Sequence, residues 1–142
     1  MKSPLTLEEL TQLATLAEAA AHQAYAPYSR FYVGAALLLE SGEYVSGCNV
    51  ENASYRLTTC AEQTAIAAAV AQHGPSIRIR AVAVHNLNAT ACQPCGACRQ
   101  TIAEFAPSDA TILYPGPDST PQACTLADLL PSTFTLAPSP TP

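Results

Sequence analysis

Residues 31–40, FYVGAALLLE, constrain this chain more than any other stretch. From Val33 to Leu39 no side chain is polar, so neither face of an extended segment can lie against water. A strand at a solvated surface alternates apolar and polar residues, whereas one apolar throughout is covered on both sides. The stretch therefore predicts a central strand with a layer of structure above it and another below.

The rest of the chain supplies those layers. TLEELTQLATLAEAAAHQAY, residues 6–25, predicts an amphipathic helix: Thr6 and Glu9 have capping-box spacing, and Leu10, Leu13, Ala14, Ala17, Ala21 and Ala24 recur at helical intervals. CAEQTAIAAAVAQHG predicts a second helix, stopped by His73-Gly74-Pro75, and CGACRQTIAEFA a third. EYVSGCNV, RIRAVAVHN and ATILYP read as strands, with a fifth near QACT and a short helix at LADLLP. No repeat or linker interrupts this order. The expectation is one α/β domain over residues 1–136, a sheet with helices on its faces, followed by a Pro-rich flexible tail at 137–142.

Charge narrows the function classes. Only 12% of the 142 residues are charged and 49% are hydrophobic, so part of the surface is expected to be covered by other copies of the chain. The net charge is −5, and Arg30, Arg56, Arg78, Arg80 and Arg99 stand singly. A protein that grips nucleic-acid phosphates needs a basic stripe, and none is present. Glu8, Glu9 and Glu18 interrupt the N-terminal segment, which does not read as a signal peptide. No apolar run reaches membrane-spanning length. A cytoplasmic location is expected, where clustered cysteines bind metal or act in catalysis more often than they pair.

Six cysteines are present, three of them in ACQPCGACRQ, residues 91–100. Cys95 opens the third predicted helix and Cys98 follows one turn later on the same side. Cys60 opens the second. Helix N-termini carry roughly half a positive charge, which favours thiolate. Two such ends meeting would gather three thiolates around Zn²⁺ and leave a fourth position open, the arrangement of a catalytic site. Glu62, in Cys60-Ala61-Glu62, would then stand beside the open position as a proton carrier, with hydroxide as the nucleophile. Three competing readings are weaker. A C-x-x-C dithiol oxidoreductase leaves Cys60 and Glu62 without a role. A closed structural zinc site needs a fourth ligand, with Cys92 the spare thiol. An iron–sulfur loop fails because Ile102 occupies the fourth ligand position.

CAEQTA followed by PCGACRQ resembles the zinc base deaminases, in which a glutamate two residues after the first ligand precedes a P-C-x-x-C. Within them, YAPYSRFYVGAALL, GCNVENASY, CAEQTAIAAAV, PCGACRQ and DLLPSTF are similar, in order and spacing, to the small homotetrameric three-cysteine cytidine deaminases. The resemblance runs from the first helix to about Phe134. It implies a three-layer fold with a mixed five-stranded sheet, one zinc per subunit held by Cys60, Cys95 and Cys98, and Glu62 as proton shuttle. It also implies a nucleoside pocket, with Phe31 near the base and Asn49 and Glu51 on the ribose hydroxyls; Ala61 and Ser54, at helix-start and loop positions, are expected to hold the ring through main-chain groups. Phe134 corresponds to an aromatic given to a neighbouring subunit's site, and Tyr55 to a residue near that interface. The implied reaction converts free cytidine or deoxycytidine to the uridine nucleoside and ammonia, as in pyrimidine salvage. Modified cytidines and a blasticidin-type antibiotic are the alternative substrates, and nucleic acid and membrane are not expected partners.

One position departs from the pattern. Three-cysteine members usually have arginine after the catalytic glutamate, where it donates to the ligand thiolates and offsets their charge; here Gln63 stands in that place. Arg56 is the candidate replacement cation. The plainer readings are a capping box from Thr59 to Glu62, core roles for Phe105, Cys48 and Cys124, and no role for His22, His73 or His85.

Overall fold

The structure is a computed structural model and describes residues 3–140; Met1, Lys2 and the last two residues of the tail, Thr141 and Pro142, lie outside the described residues. In chain order the elements are α1 (Leu7–Ala21), β1 (Val33–Leu39), β2 (Tyr44–Cys48), α2 (Ala61–His73), β3 (Ile79–Asn86), α3 (Gly96–Phe105), β4 (Thr111–Pro115), β5 (Pro121–Thr125) and α4 (Leu126–Leu129). Short 3₁₀ turns lie at Tyr55–Leu57 and Pro117–Ser119.

The strands form one five-stranded sheet in the order β2-β1-β3-β4-β5. Only β3 and β4 run parallel, joined by α3 as a crossover; the other neighbours are antiparallel. All seven residues of β1 are buried between β2 and β3, as its composition requires. Val33, Ala35, Leu37 and Leu39 pack toward α2 and α3, while Ala36 and Leu38 pack toward Leu13 and Ala17 of α1. The sheet is thus the middle of three layers. On β3 the register slips where Leu38 pairs with Ala81 and Leu39 with Ile79, leaving Arg80 as the extra residue of a bulge. The slip returns Ile79 to the face of Val82 and Val84 and frees Arg80 to bond Glu9 of α1 at 2.6 Å.

Two glycines let the layers close. A Cβ on Gly34 would lie 1.9 Å from the Ala17 carbonyl oxygen, and one on Gly47 would lie 2.4 Å from the Ala65 nitrogen. The backbones of α1 and α2 therefore rest directly on β1 and β2, and α2 carries its first turn to the sheet edge.

Some predicted boundaries shift. The first helix stops at Ala21 and not at Tyr25, because the Tyr25 backbone donates to Asn49 O at 3.0 Å and accepts from Glu51 N at 2.8 Å. Ala14, assigned to the apolar stripe, is exposed, and Ala20 is buried in its stead. Residues 131–140 form neither helix nor strand and are exposed throughout.

Candidate active site

Cys60 is the N-cap of α2 and Cys95 the N-cap of α3, so both thiols stand where helical backbone begins. Cys98 lies in the first turn of α3 and is fully buried, whereas Cys60 is half-buried and Cys95 exposed. The three sulfur atoms lie within 4.8 Å of one another, and no other such cluster exists among the described residues. Tetrahedral zinc–thiolate sites bring their sulfurs to about 3.8 Å from each other, so a small contraction suits this trio to the metal. Cys92 is not part of the cluster, and burial, followed by the nearby Glu62 carboxyl, pushes its thiol up to about 11.

The electrostatics of the trio differ from the helix-dipole picture. The Cys60 thiol is drawn down to about 7 chiefly by a hydrogen bond with Cys98, against burial and the Glu62 charge. Cys98 moves up for the same reason: its proton is held against Cys60 in a buried place. In the metal-free trio the first thiolate is therefore stabilised by its neighbour's S–H.

Glu62 is 4% exposed, and desolvation raises its carboxyl above the ordinary range, partly offset by a hydrogen bond with Cys98. The capping box proposed for it belongs one residue later. Thr59 cannot cap, because its N–H and C=O both pair with Val50 at 2.9 Å. Instead Cys60 is the N-cap and Gln63 the N3 partner, Oε1 accepting from the Cys60 N–H at 3.3 Å. That frees Glu62 to turn toward the thiols. Thr64, which sequence reasoning passed over, donates its hydroxyl to Cys60 O at 3.1 Å, so the Cys60 backbone is held from both sides.

The Thr59–Val50 bridge also joins Cys60 to the expected pocket, since Asn49 and Glu51 flank Val50. Both are buried at 8% exposure. Asn49 donates from Nδ2 to Phe31 O at 2.7 Å and accepts from Val33 N at 2.9 Å. Glu51 Oε1 accepts from Tyr28 N at 2.9 Å and Ser29 N at 3.1 Å, and the Ser29 hydroxyl helps hold its carboxyl below the ordinary range. Among the described residues Asn49 Nδ2 makes one hydrogen bond, which leaves its second hydrogen available. Phe31 is half-buried against the core on the α2/α3 side, a cluster that includes Ala61 and Cys92.

Phe134 and Tyr55 are not enclosed within the subunit: they are 70% and 71% exposed. Tyr55 meets Tyr28 edge-on at 6.1 Å, and Gln100 Nε2 donates to Phe134 O at 3.0 Å. Arg56 is exposed and has no hydrogen bond or ion pair among the described residues. Arg99, beside Cys98, donates to Pro94 O, Leu129 O and Gln93 Oε1 at 2.7–3.0 Å, tying the loop before Cys95 to the end of α4. Ser54 is exposed and closes an Asx turn with Asn52. Cys48 and Cys124 are half-buried, and Phe105 packs against the core. His22 and His73 are exposed on the helix ends, and His85 is half-buried on β3.

Three thiols at two joined helix starts, with a buried carboxyl beside them, define a zinc hydrolase of the deaminase class. The sequence family described as the cytidine and deoxycytidylate deaminase zinc-binding region matches residues 7–114, and the chain belongs to it. A cytidine deaminase of Halalkalibacterium halodurans is 45% identical over 112 residues, covering 79% of this chain and 83% of the relative. The crystal structure of a cytidine deaminase from Burkholderia pseudomallei superposes with a TM-score of 0.80 at 40% identity, covering 92% of this chain and all of that one. A blasticidin-S deaminase of Bacillus cereus is 34% identical over 86 residues, 56% of this chain and 61% of its own length.

Proposed function

We propose that this chain deaminates cytidine and deoxycytidine hydrolytically, giving uridine or deoxyuridine and ammonia. The observation that carries it is the meeting of the Cys60, Cys95 and Cys98 sulfurs within 4.8 Å beside a Glu62 that is 4% exposed. Family membership and the likeness to cytidine deaminases along most of the chain support the same reaction. Cys60, Cys95 and Cys98 would hold the zinc. When bound, zinc supplies Lewis acidity that brings the pKa of a coordinated water toward about 7.

Glu62 does the proton work. Its burial raises the carboxyl above the ordinary range, the direction that suits a group which must both accept and return a proton. It takes one proton from the attacking water and gives it to the ring nitrogen next to the reacting carbon. It then takes the proton of the newly added hydroxyl and delivers it to the amine, so that the C–N bond breaks as the carbonyl forms and ammonia leaves. The second Nδ2 hydrogen of Asn49 and the carboxylate of Glu51 read the ribose hydroxyls, with Phe31 against the base and the backbone at Ala61 beside it. Gln63 fixes the Cys60 backbone.

Free nucleoside is the substrate class, and the absence of a basic stripe argues against nucleic acid. Residues 1–136 form the catalytic unit, with 137–142 as a tail. Tyr28, Tyr55, Leu57, Phe134 and Leu136 form an exposed apolar set that a homotetramer with shared sites would cover, Phe134 entering a neighbour's pocket. A cytoplasmic salvage role fits such a substrate; no helix among the described residues is long and apolar enough to cross a membrane. The test is spectrophotometric. Purified zinc-replete protein should consume cytidine and deoxycytidine with one ammonia per nucleoside, and blasticidin S far more slowly. Turnover of blasticidin S alone would move the assignment to the antibiotic.

A further inference from the structure

The segment Arg30–Tyr32 leads into β1 without belonging to a strand, and two asparagine side chains hydrogen-bond its backbone in place of neighbouring strands. Asn49 bonds Phe31 O and Val33 N, while Asn88 bonds Arg30 O at 2.9 Å and Tyr32 N at 3.1 Å. Each amide spans an acceptor and a donor two residues apart, the repeat a paired strand presents along one edge. Leu87 N donates to Tyr32 O at 3.0 Å, so the loop after β3 continues the ladder for one bond before Asn88 takes over. Phe31 sits in the middle, and neither of its immediate neighbours is left free.

This bracing has a strained residue to hold. Arg30 has φ of 56°, a left-handed conformation that non-glycine residues adopt at a cost and keep only where surrounding contacts fix it. It lies directly before Phe31, so its conformation turns the chain into that residue. Asn88 grips the Arg30 carbonyl on one side of the ring and the Tyr32 amide on the other. Its own backbone is placed by Asn86, whose Oδ1 accepts from Asn88 N at 2.9 Å and whose Nδ2 donates to Thr90 O at 2.8 Å. Asn86 is buried and ends β3, so the clamp is referenced to the sheet and not to a loose loop.

We propose that Asn88 is a positioning residue of the nucleoside site, holding Phe31 in register through the backbone on either side of it. The inference rests on the reading of Phe31 as a pocket residue. Asn88 acts on substrate binding and not on proton transfer: its hydrogen bonds go to Arg30, Tyr32 and Asn86, none to α2 or α3, where the thiols and Glu62 stand.

The test is a double-mutant cycle on the zinc-loaded oligomer, reading KM and kcat for cytidine, equilibrium binding of uridine, and amide exchange at Tyr32. Asn88→Ala is expected to raise KM and weaken uridine binding about tenfold while kcat stays within about twofold, with faster exchange at Tyr32. In a Phe31→Ala background the same change should add nothing. Asn88→Asp, which keeps the acceptor for Tyr32, should fall between the two and carries the test if the alanine variant does not fold. Ala89→Gly relaxes the left-handed residue next door, at φ of 53°, without removing either bond, and should match the parent. The proposal is overturned if Asn88→Ala leaves KM at the parental value while Phe31→Ala raises it, if it raises KM equally in both backgrounds, or if Ala89→Gly does the same damage. Should Phe31→Ala itself leave KM unchanged, the pocket reading fails, and this inference with it.

Discussion

Gln63 accepts a hydrogen bond where the family resemblance leads one to expect a donor. Its Oε1 takes the Cys60 amide, and no cation appears among the groups that perturb the Cys60 and Cys98 thiols. Arg56 is exposed, and Arg99 spends its guanidinium on three neutral acceptors. Three thiolates on a divalent ion would leave one negative charge, and no cationic side chain among the described residues is placed to offset it. Gln63→Arg should therefore acidify the site and move the acid limb of the kcat/KM profile down by about one pH unit. A profile that overlays the parent's would show that the charge at this position is immaterial. The thiols and Glu62 were legible from spacing because ligand chemistry restricts residue type. The cap register was not: T-C-A-E and the frame after it both fit a capping pattern, and only the Thr59–Val50 bridge chooses between them.

Among the elements, α2 matters most, because it carries Cys60, Glu62 and Gln63 in one turn. Its seat on β2 depends on Gly47, and Gly47→Ala should push the helix off the sheet, cost about 2 kcal/mol or more, and weaken zinc retention together with Tm. Unaltered Tm would mean that the helix is not held so closely. At the start of α1, Glu9 closes the Thr6 capping box and meets Arg80, bonds that lower its carboxyl below 4.5. A depressed folded-state value gives stability that is complete above 4.5 and is lost as pH falls through the lower value. Glu9→Gln should flatten that part of the acid-side stability curve, seen as a smaller Tm drop between mildly and strongly acidic solution. The unbroken apolar run of β1 made the layers readable. The Arg80 bulge was not, since a one-residue slip leaves no mark in an apolar pattern until the partner strand is known.

In the whole molecule, the proposed homotetramer would make activity depend on assembly, through aromatics that are exposed in the single subunit. Phe134 is 70% exposed on a segment without helix or strand, anchored through its carbonyl by Gln100. Dilution to the point of dissociation should lower activity per subunit, and Phe134→Ala should raise KM in the assembled protein. Full activity from a dilute monomer would remove Phe134 from the site. Low charge content raised the expectation of a covered surface, but which face copies would meet on is not encoded locally in the sequence of one copy. The most direct measurement is zinc content and cytidine turnover of the parent and Glu62→Gln, side by side. One zinc per subunit in both, with turnover in the variant down by about 10³-fold or more, is the expected result. Turnover within about tenfold of the parent, with zinc retained, would contradict Glu62 as the proton carrier on which the mechanism rests.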